Sequence, residues 1–170
     1  MKKTNRKGFT LVELLAVIVI LGVLLMIAVP AIQNVIRNSR KKSFESAAKL
    51  ALENVETMAS AERTGNTLAE CYIPIGSIEL ERGSFGKNAV GVIIVNSDGK
   101  AKIGMYNDEY VVSDGKLENK NDGTSGVQAT VKQANSPITI TDYTITYSNE
   151  NYSVKKSNTD VPSCTWYTAK

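Results

Sequence analysis

The chain has 170 residues, of which 42% are hydrophobic and 22% charged, as expected for one folded unit with a membrane-spanning segment. It contains no histidine and only two cysteines, which excludes histidine-based catalysis and leaves a Cys/His zinc site two ligands short. The formal charge of +3 is too small to indicate a broad nucleic-acid-binding surface.

An uncharged, apolar run covers residues 14–36 and exceeds the roughly 20 residues with which a helix crosses a bilayer. A secretory signal peptide is the ordinary alternative, because four cations precede the run. However, the apolar core of a signal peptide has only roughly 7 to 15 residues, and Pro30 interrupts the small residues that a signal peptidase needs. The run therefore predicts a membrane-spanning helix.

A carboxylate, Glu13, stands at the start of this apolar run, where burial at the bilayer centre costs roughly 2.5 to 3.5 kcal/mol. Such a charge indicates a function and requires a partner. If the chain is cut between Gly8 and Phe9, the new α-amino group lies four residues from Glu13, on the same helix face. We expect the two charges to neutralise one another, within one chain or between neighbouring helices.

The segment KGFTLVELL at residues 7–15, with the apolar helix that follows it, resembles the class III signal of type IV pilins and pseudopilins. The resemblance covers about the first 30 residues. It implies that a prepilin peptidase cuts after Gly8 and methylates Phe9, and that Glu13 guides docking by pairing with the terminal amine of a neighbour. It also places the leader in the cytoplasm and the rest of the chain outside.

Two residues of the apolar helix, Gly22 and Pro30, match positions where this family often has a helix-weakening glycine and a proline. Proline lacks the backbone N–H and clashes with the preceding turn, so we expect a kink at residues 26–30. Two interpretations remain open. Membrane helices tolerate both residues, or the interval between them extends or melts when subunits pack into a filament.

The helical pattern continues beyond Pro30 as an amphipathic helix. One face carries an apolar stripe at spacings of three and four, formed by Phe44, Ala48, Ala51, Val55 and Met58. Another face carries charges that alternate in sign at i, i+4, namely Lys41, Glu45, Lys49 and Glu53. We expect the helix to end near Arg63, with Gly65 as its C-terminal signal.

A long loop is predicted for residues 64–87, and β-strands are predicted after it, at residues 90–95, 101–106, 109–113, 127–132, 138–147 and 152–156. Asp98-Gly99 and Asp114-Gly115 predict hairpin turns, and a switch of apolar phase predicts a bulge or bend at Thr141-Asp142. The fold class is α+β: a long N-terminal helix packed on an antiparallel meander, in a lollipop shape. The predicted segments are a leader (1–8), a transmembrane or filament-core helix (9–36), its amphipathic half (37–63) and a β-rich head (64–170).

The two cysteines, Cys71 and Cys164, form an even pair, which in an exported domain is more often a disulfide than a metal site or two free thiols. Closing a loop of about 90 residues contributes roughly 4 to 5 kcal/mol in the chain-entropy model. The disulfide common in some relatives encloses a shorter C-terminal region.

Other polar motifs have ordinary explanations. Ser-Asp-Gly-Lys occurs at residues 97–100 and 113–116, with a variation at 121–123, and turn chemistry explains these residues better than calcium binding. Four cations follow the span: Arg37, Arg40, Lys41 and Lys42. They either anchor the chain at lipid headgroups or pair with Glu53, Glu56 or Glu62 of a neighbouring subunit.

We therefore predict a structural pilin that is not an enzyme and has no catalytic, cofactor or metal residues. Its expected partners are copies of itself in a helical filament, a prepilin peptidase, the assembly platform with its ATPase, and the membrane before assembly. The alternatives are a minor pilin or pseudopilin of a secretion or competence machine, and a membrane-anchored binding protein that never polymerises. Adhesion, twitching motility and the binding of DNA or a surface ligand are left open.

Overall fold

The computed structural model describes residues 9–64, 67–80, 85–118, 125–133 and 137–167. One helix, α1, spans Leu11–Arg63. Eight strands follow it: β1 Cys71–Pro74, β2 Val90–Val95, β3 Ala101–Tyr106, β4 Tyr110–Gly115, β5 Ala129–Val131, β6 Tyr143–Ser148, β7 Asn151–Lys156 and β8 Thr159–Asp160. The predicted α+β class is confirmed. The predicted helix signal Gly65 and the Asn-Asp-Gly turn at 121–123 lie outside the described residues.

The chain divides into two compact units, Met1–Ser39 and Arg40–Lys170. In the first unit, α1 runs without interruption through Gly22 and Pro30. Its best 18-residue window has a mean hydropathy of 3.1 and no buried residue, so by length and composition it can cross a membrane. The predicted kink near Pro30 stays a prediction.

In the second unit, the last part of α1 covers a sheet with the apolar stripe that the sequence predicts. Its buried side chains are Phe44, Ala47, Ala48, Ala51, Leu52, Val55 and Ala59, whereas Met58 is half-buried. Small alanines dominate this list, which lets the helix approach the strands closely. The predicted packing of helix on sheet is confirmed.

The sheet under α1 is an antiparallel meander in the order β1-β2-β3-β4-β5. The predicted Asp98-Gly99 turn joins β2 to β3, and Gly99 has the positive φ of 82° that such a turn favours. The hairpin predicted at Asp114-Gly115 is wrong, because both residues lie within β4. There the register against β3 shifts, and a side chain at Gly115 would strike Ile103 and Val112.

A second antiparallel sheet has the order β6-β7-β8. The strand predicted at residues 138–147 is two pieces. Ile138 to Thr141 runs beside β4, where the Thr139 carbonyl accepts a hydrogen bond from the Asp114 N–H at 2.9 Å. The chain then turns at Asp142, whose φ is 75°, and β6 begins at Tyr143. The predicted bend is therefore a turn between separate segments.

The prediction of a continuous loop at residues 64–87 is wrong, because it contains β1 and a short 3-10 turn at Ile75–Ser77. β1 is only four residues long and ends at Pro74, which weakens its pattern. It is held by pairing with β2 on one side. On the other side, the Tyr72 N–H donates to the Pro162 carbonyl and the Cys164 N–H donates to the Tyr72 carbonyl, both at 2.9 Å.

Two apolar clusters bury opposite faces of the meander. The Ile93 and Val95 side chains of β2 join the helix cluster, whereas Val92 and Ile94 join a second cluster with Val154 of β7 and with Ile140 and Val161, which flank the second sheet. This explains why β2 is a continuous apolar run rather than an alternating one. Cys71 and Cys164, with Cα atoms 4.9 Å apart, form the disulfide that the sequence favours.

Candidate assembly segment

The N-terminus of α1 is a capping box formed by Thr10 and Glu13. The Glu13 Oε2 atom accepts hydrogen bonds from the Thr10 backbone N–H at 2.8 Å and from the Thr10 hydroxyl at 2.7 Å. In return, the Glu13 N–H donates to the Thr10 hydroxyl oxygen at 3.3 Å. Two backbone donors at the helix start are thus satisfied by side chains.

The sequence carries the signal for this box, because threonine followed three residues later by glutamate is its standard pattern. The charge of Glu13 by itself indicates only a terminal amine as its partner and does not reveal Thr10. The box uses one carboxylate oxygen for both bonds. In the described part of the chain, the other oxygen, Oε1, accepts no hydrogen bond, so it is available to a cation from outside.

Phe9, the predicted methylation site, precedes the helix and is 90% exposed. Gly8, after which cleavage is predicted, lies outside the described residues. Downstream of Glu13, every large apolar side chain of residues 14–36 is exposed, from Leu14 to Ile36. A continuous apolar surface of this size is stable only in lipid or against other protein surfaces.

Nothing in the described chain requires glycine at position 22, because a side-chain carbon built there meets no atom within 4 Å. The packing of the described chain therefore gives no reason for a glycine at this position. Pro30 lies in the same exposed segment.

Among the cations beyond the span, Arg40 and Lys41 have identified partners within the chain. Arg40 donates to Glu109 Oε1 at 2.8 Å, and Lys41 lies 3.9 Å from Glu45. Among the acidic residues proposed to meet a neighbouring subunit, Glu56 accepts a hydrogen bond from the Ala101 N–H at 2.9 Å. These contacts stabilise the second unit, and the exposed Arg40–Glu109 pair adds little free energy by itself.

A polar cluster that the sequence does not reveal joins β6 and β7 to the segment before β1. Lys156 donates to both oxygens of Glu70, at 2.8 and 3.1 Å, and the Tyr143 hydroxyl also donates to Glu70. Burial and the Glu70 carboxylate raise the pKa of Tyr143 to about 12. Burial alone would raise the pKa of Glu70, but the bonds from Lys156 and Tyr143 prevail and lower it.

One concave surface of the second unit carries charged side chains of both signs. A cavity of about 300 Å³ is lined by Arg40, Lys87, Asp108, Glu109, Phe44 and Phe85, among others, so its charges balance. Within the residues that the structure describes, no group of three or more Cys, Asp or Glu side chains is placed to hold a metal ion. The polar arrangement that the sequence motif singles out is the Thr10–Glu13 box of the N-terminal segment.

Comparison with known proteins points to the same segment. Residues 3–29 match the model of the prokaryotic N-terminal methylation motif. The chain is 35% identical over 83 residues to the type IV major fimbrial protein FimA of Dichelobacter nodosus, an alignment that covers 49% of this chain. It spans about half of that relative, 51% of its length. No solved structure matches the chain at a significant level.

Proposed function

We propose that this type IV pilin-like protein, which carries the N-terminal methylation motif, is the major structural subunit of an extracellular type IV pilus. A prepilin peptidase removes residues 1–8 by cutting after Gly8 and methylates the amine of Phe9. The helix at residues 9–36 then holds the subunit in the membrane. Extraction by an assembly platform and its ATPase delivers the subunit to the growing filament.

One observation carries this proposal: the methylation motif at residues 3–29 runs into an apolar helix whose large side chains are all exposed from Leu14 to Ile36. A helix that served only as a signal or an anchor needs Glu13 at most for its cap, which an uncharged glutamine can also form, so the charge itself indicates a further partner. A filament core, in contrast, buries the apolar surface of many helices together and can match each carboxylate with a neighbour's amine. The partial likeness to a fimbrial protein supports the pilin-like class, and the major subunit is the role proposed within that class.

The capping box refines the part played by Glu13. One oxygen orders the first helical turn, and the other is free, in the described chain, to meet the cationic Phe9 amine of an adjacent subunit. Removal of residues 1–8 also takes away four cations, Lys2, Lys3, Arg6 and Lys7, and changes the formal charge from +3 to −1. After cleavage, the new amine is the only cation left before the apolar run.

The test compares two substitutions at this position. Glutamine can replace glutamate in a capping box but carries no charge, whereas alanine removes both the cap and the charge. We expect Glu13→Gln and Glu13→Ala both to be cleaved after Gly8. Both should give at least about tenfold less sheared filament, because both lack the carboxylate charge that pairs with the Phe9 amine of a neighbour. N-terminal sequencing and mass measurement report the cleavage and the methyl group.

Filament yield at the wild-type level from Glu13→Gln would show that the charge is dispensable and that capping alone matters. An uncut Met1 on the wild-type chain in its natural host would instead support a membrane-anchored protein that never polymerises. The amount of wild-type protein in sheared surface fibres separates a major pilin from a minor pilin or a pseudopilin of a secretion or DNA-uptake system.

A further inference from the structure

β6 forms one edge of the smaller sheet, and in the described part of the chain no strand pairs with its outer side. An edge strand presents unpaired N–H and C=O groups that can template another strand. Natural edges are usually protected by charges, by proline, by bulges or by short length. β6 has none of these devices, since its six residues are Tyr, Thr, Ile, Thr, Tyr and Ser.

The hairpin geometry shows which backbone groups are open. A two-residue turn at Asn149-Glu150 joins Ser148 to Asn151, and such turns close on a hydrogen-bonded pair. Backbone groups alternate along a strand, so residues 148, 146 and 144 bond β7, and residues 147, 145 and 143 point outward. Among these outward groups, the described chain occupies only the Tyr143 N–H, which donates to the Ile140 carbonyl at 3.1 Å.

The residues whose backbone groups point outward, 143, 145 and 147, are the centre and the ends of a palindrome. Residues 143–147 read Tyr-Thr-Ile-Thr-Tyr in either direction. If two copies meet antiparallel about Ile145, each Tyr143 lies opposite the other copy's Tyr147, and each Thr144 lies opposite the other copy's Thr146. Cross-strand aromatic and threonine pairs are favourable, and no like charges oppose one another.

We propose that the outer edge of β6 pairs antiparallel with β6 of a second copy of this chain, about a two-fold axis at Ile145. The contact is isologous and joins the two small sheets into one continuous six-stranded sheet. Its hydrogen bonds come from the Ile145 N–H and C=O groups and from the Tyr147 N–H to the opposite Tyr143 carbonyl. A strand pair of this length is weak alone and forms where copies are concentrated, as on a cell surface.

The side chains also favour this register. Tyr143, Ile145 and Tyr147 alternate with Thr144 and Thr146 along the strand, and the threonines are exposed. A two-fold axis perpendicular to the sheet keeps the faces matched, so the exposed threonine rows of both copies become continuous. The proposal concerns the second unit of the chain alone and does not depend on cleavage after Gly8.

Cysteine cross-linking of the full chain in detergent tests the register. Thr144 and Thr146 lie on the exposed face, and in an antiparallel non-hydrogen-bonded pair their Cα atoms lie about 4.5 Å apart, within reach of a disulfide. We expect a mixture of Thr144→Cys and Thr146→Cys chains to form covalent dimer under mild oxidation at least about fivefold faster than either variant alone, because identical positions lie diagonally apart. Ser153→Cys, exposed on the central strand β7, is the matched control for random collision.

A charge exchange tests the same contact. In an Ile145→Cys background, Thr144→Glu with Thr146→Glu sets like charges opposite one another, whereas Thr144→Glu with Thr146→Lys sets opposite charges there. We expect the first pair to slow cross-linking about tenfold and the second to restore it. Equal rates for these two chains, or for the mixture and the Ser153→Cys control, would overturn the proposal. Peptide mass mapping of the Cys71–Cys164 bond verifies that the added cysteine has not exchanged with it.

Discussion

Left-handed backbone conformations are adopted by residues other than glycine at the two tight turns of the smaller sheet. Asn149 and Glu150 have φ values of 50° and 64°, and Ser157 and Asn158 have φ values of 48° and 69°. Positive φ at both central residues is the pattern of a type I′ turn, which matches the twist of the strands it joins. Asparagine tolerates this region, but glutamate does not gain anything from it. The turn that holds β6 against β7 therefore contains a strained residue.

Glu150→Gly is expected to stabilise the protein by about 1 kcal/mol, because glycine adopts positive φ without a steric cost and Asn-Gly is the favoured type I′ sequence. The urea midpoint of the full chain in detergent, followed by tyrosine fluorescence, measures the change. Asn149→Gly is the control and should give a smaller gain, since asparagine already tolerates the conformation. A loss of stability in Glu150→Gly would mean that the Glu150 side chain makes a stabilising contact.

The Glu70–Lys156 pair should make stability depend on pH in the acid range. Because the folded state lowers the Glu70 pKa below its ordinary value of 4.5, its contribution is complete above that pH and is lost as pH falls through the lowered pKa. Both side chains are partly exposed, so the contribution is under about 1 kcal/mol. We expect Glu70→Gln to melt below wild type at pH 7 and to approach wild type as the pH falls through the lowered pKa of Glu70. A difference that is constant over this range would exclude the charge as its source.

At the scale of elements, carboxylates on α1 bind the first amides of strands. Glu45 Oε1 accepts from the Ala129 N–H of β5 at 2.8 Å, and Glu56 Oε1 accepts from the Ala101 N–H of β3 at 2.9 Å. The sequence pattern placed Glu45 on a solvated face with Lys41, and the two do lie 3.9 Å apart. What the pattern could not show is that the same glutamate also reaches a strand, because that contact joins residues 84 positions apart.

Glu56→Ala is expected to cost about 1 to 3 kcal/mol, because it leaves the N–H of the buried Ala101 without a partner. Glu53→Ala is the matched control. That glutamate lies on the same helix, but it only faces Lys49 at 3.9 Å and should cost no more than about 0.5 kcal/mol. Urea unfolding of both full-length variants gives the comparison, and equal losses would contradict a specific role for the amide bond.

The elements that the sequence predicted best are those with strong local signals. The apolar helix, its amphipathic continuation and the strands Val90–Val95 and Ala101–Tyr106 have long, regular patterns, and their predicted bounds agree with the structure. β1 and β8 were missed because they have only four and two residues and depend on partners for their conformation. The turn predicted at Asp114-Gly115 is wrong because these residues, which are typical of turns, lie at a bulge inside β4.

At the scale of the whole molecule, the N-terminal and C-terminal parts of the chain differ in what sequence can predict. The N-terminal segment is read from consecutive residues: a processing motif, Glu13 and an apolar run. Pairings in the second unit join distant residues, such as Cys71 and Cys164, which are 93 positions apart. Two cysteines allow only one intramolecular pairing, so this long-range contact could be predicted, whereas the Glu70–Lys156 bond had many alternatives.

This disulfide encloses most of the β-structure and attaches the C-terminal segment to β1, where Pro162 and Cys164 also bond the Tyr72 backbone. Removing it with Cys71→Ser and Cys164→Ser should cost about 2 to 5 kcal/mol, because the unfolded chain regains the freedom that a long closed loop loses. Urea unfolding of the full-length double variant against oxidised wild type measures the cost. Since the hydrogen bonds to Tyr72 remain, we expect a folded but less stable protein, in which protease cleaves after Lys155 or Lys156 sooner than in wild type. Unchanged stability would mean that residual structure already confines this loop in the unfolded chain, so that the disulfide removes no further freedom.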